Sequence, residues 1–243
     1  MKSDYTGSAI RVRRSSDNTE QDIGFDAVGN LNETALTDFC GAGNGFVTTW
    51  YDQSGNARNA TQTTAVNQPQ IVSSGSIIKV NNKTALKFDG VNDIMPTTNF
   101  GLVQPENLFL TYQWLTINKG ANTFQGLIDG LSVDSMAFRE SVGKIQAQAN
   151  LQFLNTTSGA NTNQNISSIL FNSTTSNYYL NNLLIVTGNA GTLNGGGVQI
   201  GRNGNFLDRY GNFNLQELIV YGSNQNTNRS GITGNLNTYY GVY

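Results

Sequence analysis

Carboxylates are the groups in this chain best able to do chemistry. It holds 16 acidic residues, 14 basic ones and no histidine. Without imidazole there is no Ser-His-Asp or Cys-His machinery, no imidazole metal site and no histidine pH switch. Cleavage of a glycosidic bond asks only for two carboxyl groups about 5–9.5 Å apart across a groove. Asp129, Asp134, Glu140 and Glu217 are the candidates. Asp129 and Asp134 flank a hairpin, which aims them at the same end of the molecule. Glu217 lies in the run LQELIVY, where alternation groups it with Leu215 and Ile219. A charge on such a face asks for an arginine partner such as Arg139, or for a concave groove. No local pattern marks any of the four as an acid–base pair, so none is assigned a catalytic role.

Two polar turns offer ligand contacts. Asp52, Gln53, Ser54 and Asn56 follow the strand-like run FVTTWY. Asp52 can accept backbone N–H groups across the turn, and Gly55 allows a left-handed step. A structural turn is the favoured reading; a sugar or calcium contact is the other. Trp50 and Tyr51 alternate, so one faces the core and the other is free to stack on a sugar ring. Asp89, Asn92 and Asp93 supply three oxygen donors within five residues. They could help hold calcium, although calcium loops usually bring more donors at defined spacing, and a turn built by Asp-Gly and Asn-Asp is the favoured reading. The candidate ligand-binding set is therefore Trp50, Tyr51, Asp52, Gln53, Asn56, Asp89, Asn92 and Asp93. No cofactor is required, and calcium is the metal that oxygen ligands admit. Tyr178, Tyr179, Phe206, Tyr210 and Phe213 lie in or near Asn- and Gly-rich loops, a chemistry that suits sugar hydroxyls and ring faces.

These residues must be carried by short strands. Ile10 and Val12 alternate with Arg11 and Arg13, and FVTTWY is rich in β-branched and aromatic residues. Similar runs recur at 85–88, 108–117, 124–129, 132–138, 144–149, 166–171, 183–187 and 214–221, with turns between them. Thr34–Phe39 reads as a short helix ended by Gly41, and 226–240 as a poor terminal helix broken by Gly231 and Gly234. A dozen or more short strands without alternating long helices make an all-β sandwich or jelly roll in one domain, 1–243. The first and last strands are expected to lie close together. Cys40, the single cysteine, is expected to be a buried, inert thiol.

Composition bounds the partners. Charged residues are 12% of the chain and the net charge is −2, so no field draws it to nucleic acid or anionic lipid. The opening MKSDYTGSAI does not read as a signal peptide, and no segment is long and apolar enough to suggest a membrane-spanning helix. The triplet Gly195–Gly197 is not a phosphate loop, since neither a lysine nor a helix follows it.

Several passages carry a family resemblance. AIRVRRSSDNTEQDIGF at 9–25, FVTTWYDQSGNARNAT at 46–61, NQPQIV at 67–72 and ALKFDGVND at 85–93 are the main ones, followed by 215–221 and 236–240. Together they resemble concanavalin A-like, laminin-G-like domains of phage virion proteins, fibres and tail parts especially, and of bacterial surface proteins. That resemblance implies a concanavalin A-like jelly-roll sandwich of two antiparallel sheets with one or two short helices. It implies a non-enzymatic module on a virion or extracellular surface, binding a glycan or host receptor, with other virion subunits as partners and homo-oligomer formation. A virion assembly module without sugar binding is the alternative. The YDQSGN element also resembles a segment of fungal-type arabinofuranosidase catalytic domains, which share the sandwich and imply a glycoside hydrolase. Their catalytic carboxylates find no place on this chain by sequence, and their paired cysteines are absent.

Overall fold

The computed structural model describes residues 5–117, 124–132, 134–150, 153–156, 159–204 and 209–243. It is an all-β, multi-sheet sandwich with two α-helices, α1 (Glu33–Cys40) and α2 (Arg229–Tyr240). The larger sheet runs, edge to edge, through Leu183–Gly188, Ser176–Leu180, Gln164–Phe171, Glu106–Trp114 and Asn212–Tyr221. It continues through Leu86–Asp89, Gln70–Ser73, Gly45–Trp50, Ile10–Arg14 and Glu20–Ile23. The smaller sheet has the order Met95–Pro96, Gln199–Ile200, Phe124–Asp129, Ala137–Ser141, Lys144–Gln148, Phe153–Asn155. The first strand and the last are not neighbours, contrary to expectation: three strands separate Ile10–Arg14 from Asn212–Tyr221.

Alternation decides which side chains meet between the sheets. In Glu106–Trp114, Leu108, Leu110, Tyr112 and Trp114 point inward and are fully buried. They share one core with Leu127, Phe138, Ile145 and Leu154 of the smaller sheet. Tyr112 meets Trp114 and Phe138 edge-on at 6.0 and 5.8 Å, while Phe88 stacks on Phe213 at 4.7 Å. Full burial of each such side chain stabilises by roughly 1.5–3 kcal/mol.

The helices close the sandwich. Asn32 caps α1 by accepting the Ala35 N–H at 3.0 Å, and Gly41 ends it at φ +55°. Leu36 and Cys40 form its buried side. Cys40 is a buried free thiol, as expected, and burial pushes its pKa up. Helix α2 sets Leu236 and Tyr240 against Phe109 and Ile166, covering one end of the larger sheet's outer face.

That cover explains Glu217. Opposite Glu106–Trp114 the pairing jumps from Thr111↔Glu217 to Tyr112↔Leu215, leaving Gln216 as the extra residue of a β-bulge. The bulge moves Glu217 away from the face of Leu215. It accepts a 2.7 Å hydrogen bond from the Tyr240 hydroxyl and is not the partner of Arg139.

Candidate active site

One row of residues crosses the smaller sheet in register: Gly126, Arg139, Gln146 and Asn155. All four face outward, because Phe138, Ile145 and Leu154 occupy the intervening inward positions. Arg139 Nε donates to Gln146 Oε1 at 3.0 Å, and Gln146 Nε2 donates to Asn155 Oδ1 at 2.9 Å. Gly126 has no side chain for a reason. A Cβ there would sit 2.1 Å from the Asn203 backbone nitrogen. Its absence lets the 201–204 segment lie on the strand and deliver Asn203 beside Arg139.

Asn203 is fully buried and is the hub of the site. Its Nδ2 donates to Asp129 Oδ2 at 2.8 Å and to Asp134 Oδ1 at 3.0 Å. Its Oδ1 accepts from Arg139 Nη1 at 2.7 Å and from Arg209 Nη1 at 3.0 Å. Arg139 Nη1 also donates to Asp134 Oδ1 at 2.8 Å. Two carboxylates thus meet on one amide nitrogen, while two guanidinium groups meet on the amide oxygen. This charge pattern fixes the orientation of the amide. Phe124 completes the face, with the Arg139 and Arg209 guanidinium carbons 4.1 and 4.7 Å from its ring centre.

The turn after Phe124–Asp129 places both acids. Asp129 Oδ1 accepts the N–H groups of Gly130, Ser135 and Met136 at 2.8, 3.1 and 3.3 Å, and Oδ2 accepts that of Asp134 at 3.1 Å. Asp134 takes φ +55°, a conformation aspartate tolerates better than most residues. This tight turn is why the next strand starts at Ala137 and not at Ser132 as expected. Asp129 is fully buried, whereas the Asp134 side chain is 23% exposed. Burial raises the Asp129 pKa to about 6; the backbone donors oppose that rise and the Asp134 charge adds to it. For Arg139 burial lowers the pKa, and the Asp134 charge works against that. The result is an ionic cluster whose solvent edge is Asp134.

The other expected residues go elsewhere. Glu140 points to the opposite face of its strand, where it accepts from Gln125 Nε2 at 2.9 Å and the Gly143 N–H at 2.5 Å. Asp52 caps its own turn, accepting the Ser54 and Arg58 N–H groups at 2.8 and 3.0 Å and the Ser54 hydroxyl at 2.7 Å. Burial pushes Asp52 up, but these bonds outweigh it and its pKa is lowered. Trp50 packs against the core, and the Tyr51 hydroxyl donates to Asp22 at 2.8 Å. Gln53 and Asn56 stay in this turn, where Asn56 Nδ2 donates to Ser54 Oγ.

Asp89, Asn92 and Asp93 line a separate cleft on the larger sheet. Asp89 Oδ1 accepts from the Val91 and Asn92 N–H groups, and Asp93 Oδ2 from that of Asp89. Among the described residues, no three His, Cys, Asp or Glu side chains gather as metal ligands would. Tyr178 and Phe213 are core residues, Tyr179 lies 3.8 Å below Arg229, and Tyr210 stacks with Arg202. Phe206 lies outside the described residues. Asn203, Arg209 and Gln146 were not anticipated from the sequence. The available cue was Gly126 inside a strand, which signals close approach of another backbone.

Comparisons with known proteins bear on this arrangement. The family model of the α-L-arabinofuranosidase B catalytic domain matches residues 1–88. No curated protein sequence matches the chain. An arabinofuranosidase solved with arabinofuranosyl-α-1,2-xylobiose superposes with a TM-score of 0.73 at 15% identity, covering 96% of this chain and 59% of that one. A glutamate-to-glutamine mutant of a GH54 α-L-arabinofuranosidase, soaked with a 4-nitrophenyl arabinofuranoside, gives 0.69 at 13% identity over the same shares. A Trypanosoma rangeli sialidase bound to the inhibitor DANA gives 0.54 at 13%, over 79% of this chain and 30% of its own. The chain therefore spans about three fifths of the arabinofuranosidase chains it resembles. These findings overturn the expected likeness to phage fibre and laminin-G domains. The expected non-enzymatic, receptor-binding virion role falls with it, because the matched family model is that of a catalytic domain. In sequence over its first third and in fold over nearly all its length, the chain is similar to α-L-arabinofuranosidases.

Proposed function

We propose that the chain is a glycoside hydrolase of the α-L-arabinofuranosidase type, on a concanavalin A-like sandwich, acting at the Asp129–Asp134 face. The observation that carries this reading is the meeting of two carboxylates on the Asn203 amide beside Arg139. Two bonds to one nitrogen keep the two oxygens no farther apart than the summed bond lengths. That favours the close pair of a retaining glycosidase, about 5–5.5 Å, over the wider pair that leaves room for water. Asp134 reaches solvent and is ion-paired with Arg139 at 2.8 Å, which suits the nucleophile. Asp129 is the better proton carrier, since burial raises it to about 6. Substrate binding has to displace the Asn203 amide for Asp129 to reach the leaving oxygen. Phe124, Gln146 and Asn155 supply a ring face and amides for sugar recognition.

The test is hydrolysis of 4-nitrophenyl α-L-arabinofuranoside and of arabinofuranosyl xylo-oligosaccharides, with the anomer of released arabinose followed by NMR. Release with retention supports the reading. Inversion contradicts the close pair, and absence of release from every arabinofuranoside contradicts the activity.

A further inference from the structure

We propose that the free edge of the larger sheet, Leu183–Gly188, is an interface at which a second copy of this chain pairs antiparallel about a twofold axis. The strand ends the sheet and is paired on one side, by Ser176–Leu180. Its other side offers alternate N–H and C=O groups that no strand among the described residues takes up. Such an edge is a template for another strand.

Its side chains are poorly suited to water. Opposite Ser176–Leu180 the pairing jumps from Tyr178↔Val186 to Tyr179↔Leu184, leaving Ile185 as the extra residue of a β-bulge. Alternation fails there, and Leu183, Leu184 and Ile185 are exposed in succession, at 69, 53 and 39%. Sheets that end in solvent blunt the edge with lysine, proline, inward charge or a bulge. This strand has the bulge and none of the others.

Charge selects the partner. Between Lys144 and Arg202 the chain holds no charged residue. Gln164–Phe171, Ser176–Leu180 and Leu183–Gly188 all fall in that stretch, as does Phe153–Asn155, an edge of the smaller sheet. A Cβ on Gly188 would lie 3.3 Å from Leu154 Cδ2, so these two edges meet on one side of the sandwich. The strands there are neutral in both sheets. Arg229 of α2 approaches, and its guanidinium is taken up by Asn182 and the Tyr179 ring. The opposite edge of the larger sheet, Glu20–Ile23, carries Glu20 and Asp22, 3.6 and 3.2 Å from Arg11 Nε. Head-to-tail pairing of copies would strip water from those ions against leucines. The neutral edge paired with itself strips water from none, meets no like-charge repulsion and closes at two subunits.

A strand of six residues makes a contact smaller than the roughly 1,200–2,000 Å² of a stable interface, so the dimer is weak and exchanges with monomer. The pairing does not rest on the hydrolase reading, since it uses none of the residues around Asp129 and Asp134.

Sedimentation velocity of the full chain, from micromolar to millimolar concentration, tests the proposal. A monomer–dimer equilibrium is expected, and added salt should leave it unchanged or strengthen it, because no ion pair holds the interface. Amide exchange within 183–188 should slow as concentration rises, a measurement that needs no variant. Leu184→Lys alters an exposed side chain, so the dilute protein should melt as the parent does. Its dimer dissociation constant should rise about tenfold or more. Gln21→Lys, on the opposite edge, should leave association as it was. A monomer at every concentration, assembly beyond the dimer, weakening by salt, an undisturbed dimer in Leu184→Lys, or a dimer lost in Gln21→Lys would each overturn the proposal.

Discussion

Two aspartates of this chain end strands and cap turns in nearly the same way, and only one sits at a candidate site. Asp52 gathers the N–H groups of Ser54 and Arg58; Asp129 gathers those of Gly130, Asp134, Ser135 and Met136. The Asp52 turn lies toward solvent, and hydrogen bonding leaves its acid lowered. Asp129 is fully buried, and desolvation leaves it raised, to about 6. Behind Asp52 there is only its own turn, with Asn59 accepting the Asp52 N–H. Beside Asp129 stand a second carboxylate, two arginines and an amide from a distant loop. Turn capping is shared grammar; a site arises where a second segment brings charge to the cap.

The largest stability difference should come from truncating these two side chains. Asp129→Ala leaves several buried backbone N–H groups and one of the two Asn203 amide N–H groups without an acceptor, and should cost about 3 kcal/mol or more in urea unfolding. Asp52→Ala exposes its donors to water and should cost about 1 kcal/mol. Equal losses would break the comparison.

A smaller effect separates the pair by pH. Asp129, at about 6, and Asp93 and Glu106, each at about 7, bind protons more readily folded than unfolded. Burial is the main cause in all three. Acidification from pH 8 toward pH 5 therefore stabilises the native state through these groups. Asp17, Asp26 and Asp52 are lowered, so their contribution is lost as pH falls below the ordinary aspartate value of 3.8. The melting temperature should rise by a few degrees from pH 8 to a maximum near about pH 5, then fall. A steady decline from pH 8 to pH 5 would contradict the burial assigned to the three raised acids.

The smallest effect belongs to Tyr51. Tyr51→Phe removes its bond to the exposed Asp22 and should change stability by less than about 1 kcal/mol. Arabinofuranoside turnover should stay as it was. A loss would return the 50–56 segment to the ligand contacts.

What the sequence revealed followed from local rules. Gly41 ends α1 as capping chemistry requires, and the buried Cys40 follows from its helix; the Asn32 cap emerged only in the structure. That Asp129 and Asp134 lie at one end of the molecule was legible because they flank a hairpin, but nothing in the sequence marked them as an acid–base pair. Glu217 was misplaced because a single bulged residue, Gln216, reverses alternation, and no residue type announces a bulge. Asn203 and Arg209 were hidden by distance: Arg139 and Asn203 are 64 positions apart in sequence, and only the space over Gly126 unites them. The virion resemblance failed differently. Shared sandwich patterning speaks for fold, and function lives in the site grafted on it.

The most direct test of the central claim is the turnover of arabinofuranosyl xylobiose by the unaltered protein, Asp134→Asn and Asp52→Asn, with melting curves on all three. The account predicts arabinose release by the unaltered protein and by Asp52→Asn. It predicts a loss of about a thousandfold or more in Asp134→Asn, whose fold persists, as befits a lost nucleophile. Undiminished release in Asp134→Asn, or no release by the unaltered protein, would contradict it.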